Sequence, residues 1–181
     1  MAAVRRSQRA RLAAHWHLRA VAWLRRTDIG AAIQHAQRVR ECLRGMPVDA
    51  DVASLGIAVC RELVNQAWRV GTPAAEVRAT LDEGCLLADS IGDARASVIL
   101  SLVYSRTLCG AGDVAGYVEL AQENLRAAEA MDDAVLRANA HAFLADALRI
   151  AGRVDETIAV AIEADARDPA WVTPDMWLIG I

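Results

Sequence analysis

The chain has 181 residues, 55% of them apolar but only 4% aromatic, and a formal net charge of −3. All 20 of its basic Lys+Arg residues are arginine, which excludes a P-loop, a kinase lysine and Schiff-base chemistry, since each needs a lysine amine. No apolar run is long enough to span a membrane and no secretory apolar region opens the chain, so the expected location is the cytoplasm.

Nothing alternates with period two over a useful length, so the chain reads as all-α. The first predicted helix covers 5–26. Its opening, MAAVRRSQRARLAAHWHL, is basic and carries no acid before Asp28. Such a segment can address an organelle, but it runs on into Trp16, Ala20 and Trp23, which are read as packing residues. RTD at Arg26–Asp28 ends it, and Asp28 caps a second helix over 28–44. A third covers 50–69. Thr72 is then read as an N-cap, with Pro73 at the first position of helix 73–91. Gly92 is read as a stop, and Asp93 as the cap of helix 93–109. Gly110 is read as the next stop, followed by Asp113 as the cap of 113–131. Helices over 133–151 and 154–167 complete the series, separated at Gly152. The charge of the capping aspartates suits the positive end of a helix dipole. Pro47, Pro73, Pro169 and Pro174 all fall in connections or first turns.

The turns recur. Asp28, Thr72, Asp113 and Arg153 are 44, 41 and 40 residues apart, and each interval holds two amphipathic helices. One such pair cannot bury its apolar stripe, so neighbouring pairs must stack. The predicted repeats are 5–46, 50–91, 93–131 and 133–169, within one array covering 1–181.

The last repeat, NAHAFLADALRIAGRVDETIAVAIEADARDP from Asn139 to Pro169, resembles the tetratricopeptide repeat. His141, Leu144, Ala145 and Leu148 take the places of its first helix. Thr157, Ala161, Ala164 and Pro169 take those of the second. Trp16, Ala20, Trp23, Ala32, Ala36 and Val39 match in the first repeat, although Arg19 replaces a leucine. The middle repeats depart more: Val64, Tyr117 and Asn124 stand where small residues are usual, and Ala75 comes one residue early. The period near 40 resembles the helical arrays of large bacterial signalling ATPases, nucleotide cyclases and related transcription activators. LLADSIGDARASVIL and AAEAMDDAVLRANAHA are similar to segments of those arrays. The resemblance implies a right-handed superhelical array of antiparallel helix pairs, a TPR-like α-solenoid. It also implies a regulatory role, either as a protein- or peptide-binding scaffold or as a small-ligand sensor. The arginine and alanine usage points to a GC-rich bacterial genome.

Catalytic and metal chemistry find little support. Cys42, Cys60, Cys85 and Cys109 form no CxxC pair and are read as small buried hydrophobes. Cys109, near Arg106, is the one with a cation beside it. His15 and His17 point to different faces of one helix, and His35 on the antiparallel partner helix is placed to approach one of them. A metal would need a third ligand, and no acid is positioned to complete the set. His141 is read as half-buried. Asp82-Glu83 and Asp132-Asp133 diverge around a helix or cap one. Ser101, Ser105 and Thr107 lack an Asp/His partner. No enzyme activity, cofactor or metal is expected.

Charge is uneven. Residues 1–45 carry ten arginines against Asp28 and Glu41, a net of +8, and the remainder carries −11. A basic end can hold nucleic acid, but no recognition helix is evident; it reads instead as a face for an acidic partner or for the chain's own acidic region, or simply as a solvated helix. In tetratricopeptide arrays the first helix of each pair lines a concave groove. That resemblance places His17, Arg25, Arg61, Asn65, Trp68, Arg69, Arg106, Asp146 and Arg149 there. Arginine forks bind carboxylates and Trp68 offers a flat face, so the groove suits an acidic peptide, a C-terminal carboxylate or a charged small ligand, the alternative being arginines that only solubilise an alanine-rich surface; the expected partner is a protein or peptide, or neighbouring domains of a longer chain.

Beyond Pro169 the chain reads AWVTPDMWLIGI. Thr173, Pro174 and Asp175 predict a short helix, and Trp171, Trp177, Leu178 and Ile179 are apolar. Residues 170–181 are read as a terminal helix or a truncated fifth repeat. The second reading implies a homodimer through this end.

Overall fold

The computed structural model describes residues 2–167, with side chains from residue 5 onward. Among these residues every regular element is an α-helix and there is no strand. Eight helices follow in order: α1 Ala2–Leu24, α2 Ile29–Leu43, α3 Ala50–Val70, α4 Ala74–Ser90, α5 Ala94–Gly110, α6 Val114–Ala130, α7 Ala134–Ile150 and α8 Val154–Arg167. Alanine, the best helix former, fills much of each. The eight predicted segments are all present.

Local chemistry sets the boundaries. Asp28, Asp93 and Asp113 accept hydrogen bonds from the backbone N–H groups of Ala31, Ala96 and Gly116, as their positions predict. Asp49 and Asp133 do the same for Val52 and Leu136. Two expectations are corrected. Pro73, not Thr72, is the N-cap residue of α4, and no side chain caps it. Proline has no N–H to satisfy and its φ of −56° suits the entry to a helix. Gly110 is the last residue of α5 rather than its stop. The left-handed position is Gly112, at φ +83°.

The chain divides into two compact units, one running through Ser97 and one from Val98. In the first, α1 packs on α2 and α3, α2 on α3, and α3 on α4. The core joins Ala14 and Val21 of α1, Ala36 and Val39 of α2, and Leu55 and Val59 of α3. In the second, α6 packs on α7 and α7 on α8. Val98 and Leu102 of α5, Tyr117 and Ala121 of α6, and Phe143 and Leu144 of α7 share its core. Burying each large apolar side chain contributes about 1.5–3 kcal/mol. Within each unit, consecutive helices thus cover one another's apolar faces, as stacked repeats require.

The repeat positions are not all buried. Trp16 and Trp23, read as packing residues, are 59% and 82% exposed. Ala14 and Val21 lie on the opposite face of α1 and take the core position instead. His141 is buried rather than half-buried. Ala145 is partly exposed, and the fully enclosed alanines of α7 are Ala140 and Ala147. Pro169, Trp171, Thr173, Pro174, Asp175, Trp177, Leu178 and Ile179, with the readings placed on them, lie outside the described residues.

Candidate binding surface

The nine groove residues fall into two sets, one in each unit. In the first unit, α1 and α3 pack together. Arg25, just past the end of α1, reaches Glu62 Oε1 on α3 at 3.3 Å. Arg61 approaches the same oxygen at 3.5 Å. Glu62 is buried, so these arginines compensate a charge that burial alone would disfavour. One turn along α3, Gln66 is buried too. Glu62 Oε2, Gln66 Oε1 and Arg61 Nε have no hydrogen-bond partner among the described residues. Buried polar atoms rarely go unsatisfied, and here two acceptors lie four residues apart on one helix. Asn65 is half-buried on the same helix. At its last turn Trp68 is 44% exposed, and the Arg69 guanidinium lies 5.2 Å from its ring centre.

His17 meets His35 of α2, with Nδ1 to Nδ1 at 2.7 Å and the ring centres 5.0 Å apart. Burial, and next the neighbouring His35, hold its pKa below the ordinary histidine value. Among the described residues no group of three or more His, Cys, Asp or Glu is placed to hold a metal ion.

In the second unit, Asp146 of α7 uses both oxygens. It accepts from the Tyr117 hydroxyl at 3.0 Å and from Arg149 at 2.7 Å. Burial, and next Asp146, push the Tyr117 phenol well above its usual value, so it stays a donor. Arg106 sits 6.0 Å from the centre of the Phe143 ring. Arg149 is exposed while holding Asp146.

The structure therefore gives five of the predicted arginines an intramolecular neighbour. Glu62, Gln66, His35 and Tyr117 belong to the same clusters but were not among the predicted site residues. Gln66 and Glu62 interrupt an otherwise apolar stripe of α3, and that interruption is their signal in the sequence. Tyr117 shows only as a misfit in the repeat pattern.

The thiols are all free. Burial pushes Cys60 up to about 12 and raises Cys85 as well, which keeps both protonated and inert. Cys42 and Cys109 are partly buried against their cores. Asp82 pairs with Arg78, and Glu83 pairs with Arg40, so the adjacent carboxylates diverge to different arginines. Between α2, α3 and α4 lies a pocket of about 680 Å³, lined by the apolar Leu43, Met46, Val52, Val59 and Leu87 and by the polar Gln37, Arg40, Glu41, Arg44 and Glu83. No described helix is long and apolar enough to cross a membrane.

Comparison of the chain with protein-family models, with curated proteins and with solved structures finds no match.

Proposed function

We propose that the chain is a non-enzymatic scaffold or sensor segment of a bacterial regulatory system, built as a tetratricopeptide-like array that binds a protein or peptide. The observation that carries this reading is the open face of α3. Trp68 is 44% exposed with the Arg69 guanidinium 5.2 Å from its ring centre, and Arg61 and Asn65, seven and three residues earlier, share its side of the helix. An extended peptide suits such a face. Its apolar side chains stack on Trp68, and its carboxylates meet Arg69 and Arg61. Arg106 and Arg149 extend the same chemistry to the second unit.

The test is a fluorescence-anisotropy titration with acidic peptides bearing a free C-terminal carboxylate. Binding should weaken as salt rises, because partly exposed charge pairs are screened. Trp68→Ala should cost more affinity than Arg61→Ala, Arg69→Ala or Arg106→Ala, with the melting temperature nearly unchanged in Trp68→Ala and Arg69→Ala and lowered in Arg61→Ala, which removes a partner of the buried Glu62. If Trp68→Ala instead lowers the melting temperature and leaves affinity alone, the tryptophan is a packing residue. Indifference of a confirmed partner to all four changes rejects the reading.

The pocket between α2, α3 and α4 favours a second reading, a small-ligand sensor. Its volume, with Arg40 and Arg44 beside apolar side chains, would admit a small apolar acid. Calorimetry with apolar carboxylic acids, repeated on Met46→Trp to fill the pocket from its partly exposed side, separates this reading from peptide binding.

A further inference from the structure

We propose that this protein associates with itself head to tail, the outer face of α1 in one copy docking on the outer face of α8 in the next. The two faces are opposite in charge and both carry an apolar stripe. On α1, Leu12, Trp16 and Trp23 fall on one side of the helix, opposite Ala14 and Val21, which enter the core. All three are exposed, Trp23 by 82%. Exposed arginines stand among them at Arg5, Arg9, Arg19 and Arg26, and Arg19 lies 5.0 Å from the ring centre of Trp16. On α8, Val154, Ile158 and Ile162 recur every four residues, turned away from the buried Ala164, with Ile162 65% exposed. Asp155 and Asp165 flank that stripe. Both are exposed and have no ion-pair partner among the described residues.

Tryptophan left in water at the start of a helical array is costly, and large exposed apolar patches mark interfaces. The charges select the occupant. Two α8 faces brought together would set Asp155 and Asp165 against their own copies, and two α1 faces would oppose four arginines each. A basic face on an acidic one attracts. The imbalance extends through the chain: the first unit has fourteen arginines against ten acidic residues, a net of +4, and the second has six against thirteen, a net of −7. A second copy supplies both complementary faces, and each copy retains one free face of each kind. The contact is therefore heterologous, and growth continues to a ring or a filament rather than stopping at a two-fold dimer.

Two variants of the full chain test this. Trp16→Glu with Trp23→Glu blocks the head, and Ile158→Glu with Ile162→Glu blocks the tail. All four sites are exposed, so the helical circular dichroism should be preserved. By sedimentation velocity, the unmodified chain should exceed the mass of a dimer as concentration rises, and high salt should reverse this. Each variant alone should be monomeric. An equimolar mixture of the two should form dimers and nothing larger, through the tail of one and the head of the other. As a second arm, Arg9→Glu with Arg19→Glu should weaken association about tenfold or more, and adding Asp155→Arg with Asp165→Arg to the same chain should restore it. Three results overturn the proposal: an unmodified chain that stays monomeric at millimolar concentration, because another segment or partner covers α8; a blocked variant that still dimerises alone; or a mixture that stays monomeric.

Discussion

His141 stands where a helical repeat usually carries an aromatic ring, and it is 3% exposed with neither ring nitrogen partnered. Burial is the main force on it, and it lowers the pKa from the ordinary 6.5. The same direction holds for His17 beside His35. A base whose folded pKa is depressed binds fewer protons folded than unfolded, so stability rises with pH across the interval between the two values. The contribution is complete above 6.5 and is lost as the pH falls from there toward the folded value. Urea denaturation at pH 7.5 and 5.5 should show a loss at the lower pH. His141→Phe should remove much of that loss, and adding His17→Gln should remove most of the rest. An unchanged pH dependence in His141→Phe would show that the buried ring is not the titrating group. Asp49 behaves differently. Its hydrogen bond with Arg11 holds it at about 2, so its ionised form survives well into acid.

At the scale of the element, the boundaries follow from short-range chemistry. Aspartate caps at Asp28, Asp49, Asp93, Asp113 and Asp133 satisfy N–H groups that the first turn leaves open. Each contributes about 1 kcal/mol. The two glycines after Leu108 make a sharper case. Gly110 lies within α5 and is exposed, whereas Gly112 adopts φ +83°. Gly110→Ala should therefore stabilise by up to about 1 kcal/mol, since alanine is the better helix former. Gly112→Ala should destabilise by about 1 kcal/mol, because a Cβ disfavours the left-handed conformation. Thermal melts of the two variants should move in opposite directions. Ala147 is fully enclosed in α7, so a larger side chain there overpacks the core. Ala147→Leu should cost about 1–3 kcal/mol by the same melts.

At the scale of the molecule, the two units differ in charge, and α1 and α8 both expose apolar side chains. Trp16 and Trp23 report on the outer face of α1. Acrylamide should quench them efficiently in dilute solution. If copies stack, quenching should fall as protein concentration rises and recover at high salt, because the Debye length shrinks to about 3 Å at 1 M. Quenching that is independent of both variables would leave the tryptophans bare in every state. Trp68, Trp171 and Trp177 also contribute to this measurement, and changing all three to Phe leaves the signal of Trp16 and Trp23 alone.

The sequence by itself determined that the chain is all-α, how many helices the described residues form, and nearly where each begins and ends. These follow from the spacing of apolar residues, from alanine content, and from aspartate and glycine at the turns, all of which act within four residues. Only the tertiary structure decided which face of each helix is covered. Trp16 and Trp23 match the spacing of a packed repeat, yet Ala14 and Val21 enter the core, because α2 and α3 approach α1 from the other side. It likewise turned His17 toward His35, gave Asp146 to Tyr117, and set Arg25 on a buried Glu62. Periodicity fixes the angle between side chains on one helix. The neighbours that meet them come from residues roughly 20 to 40 positions away, and their approach is settled by how whole helices pack.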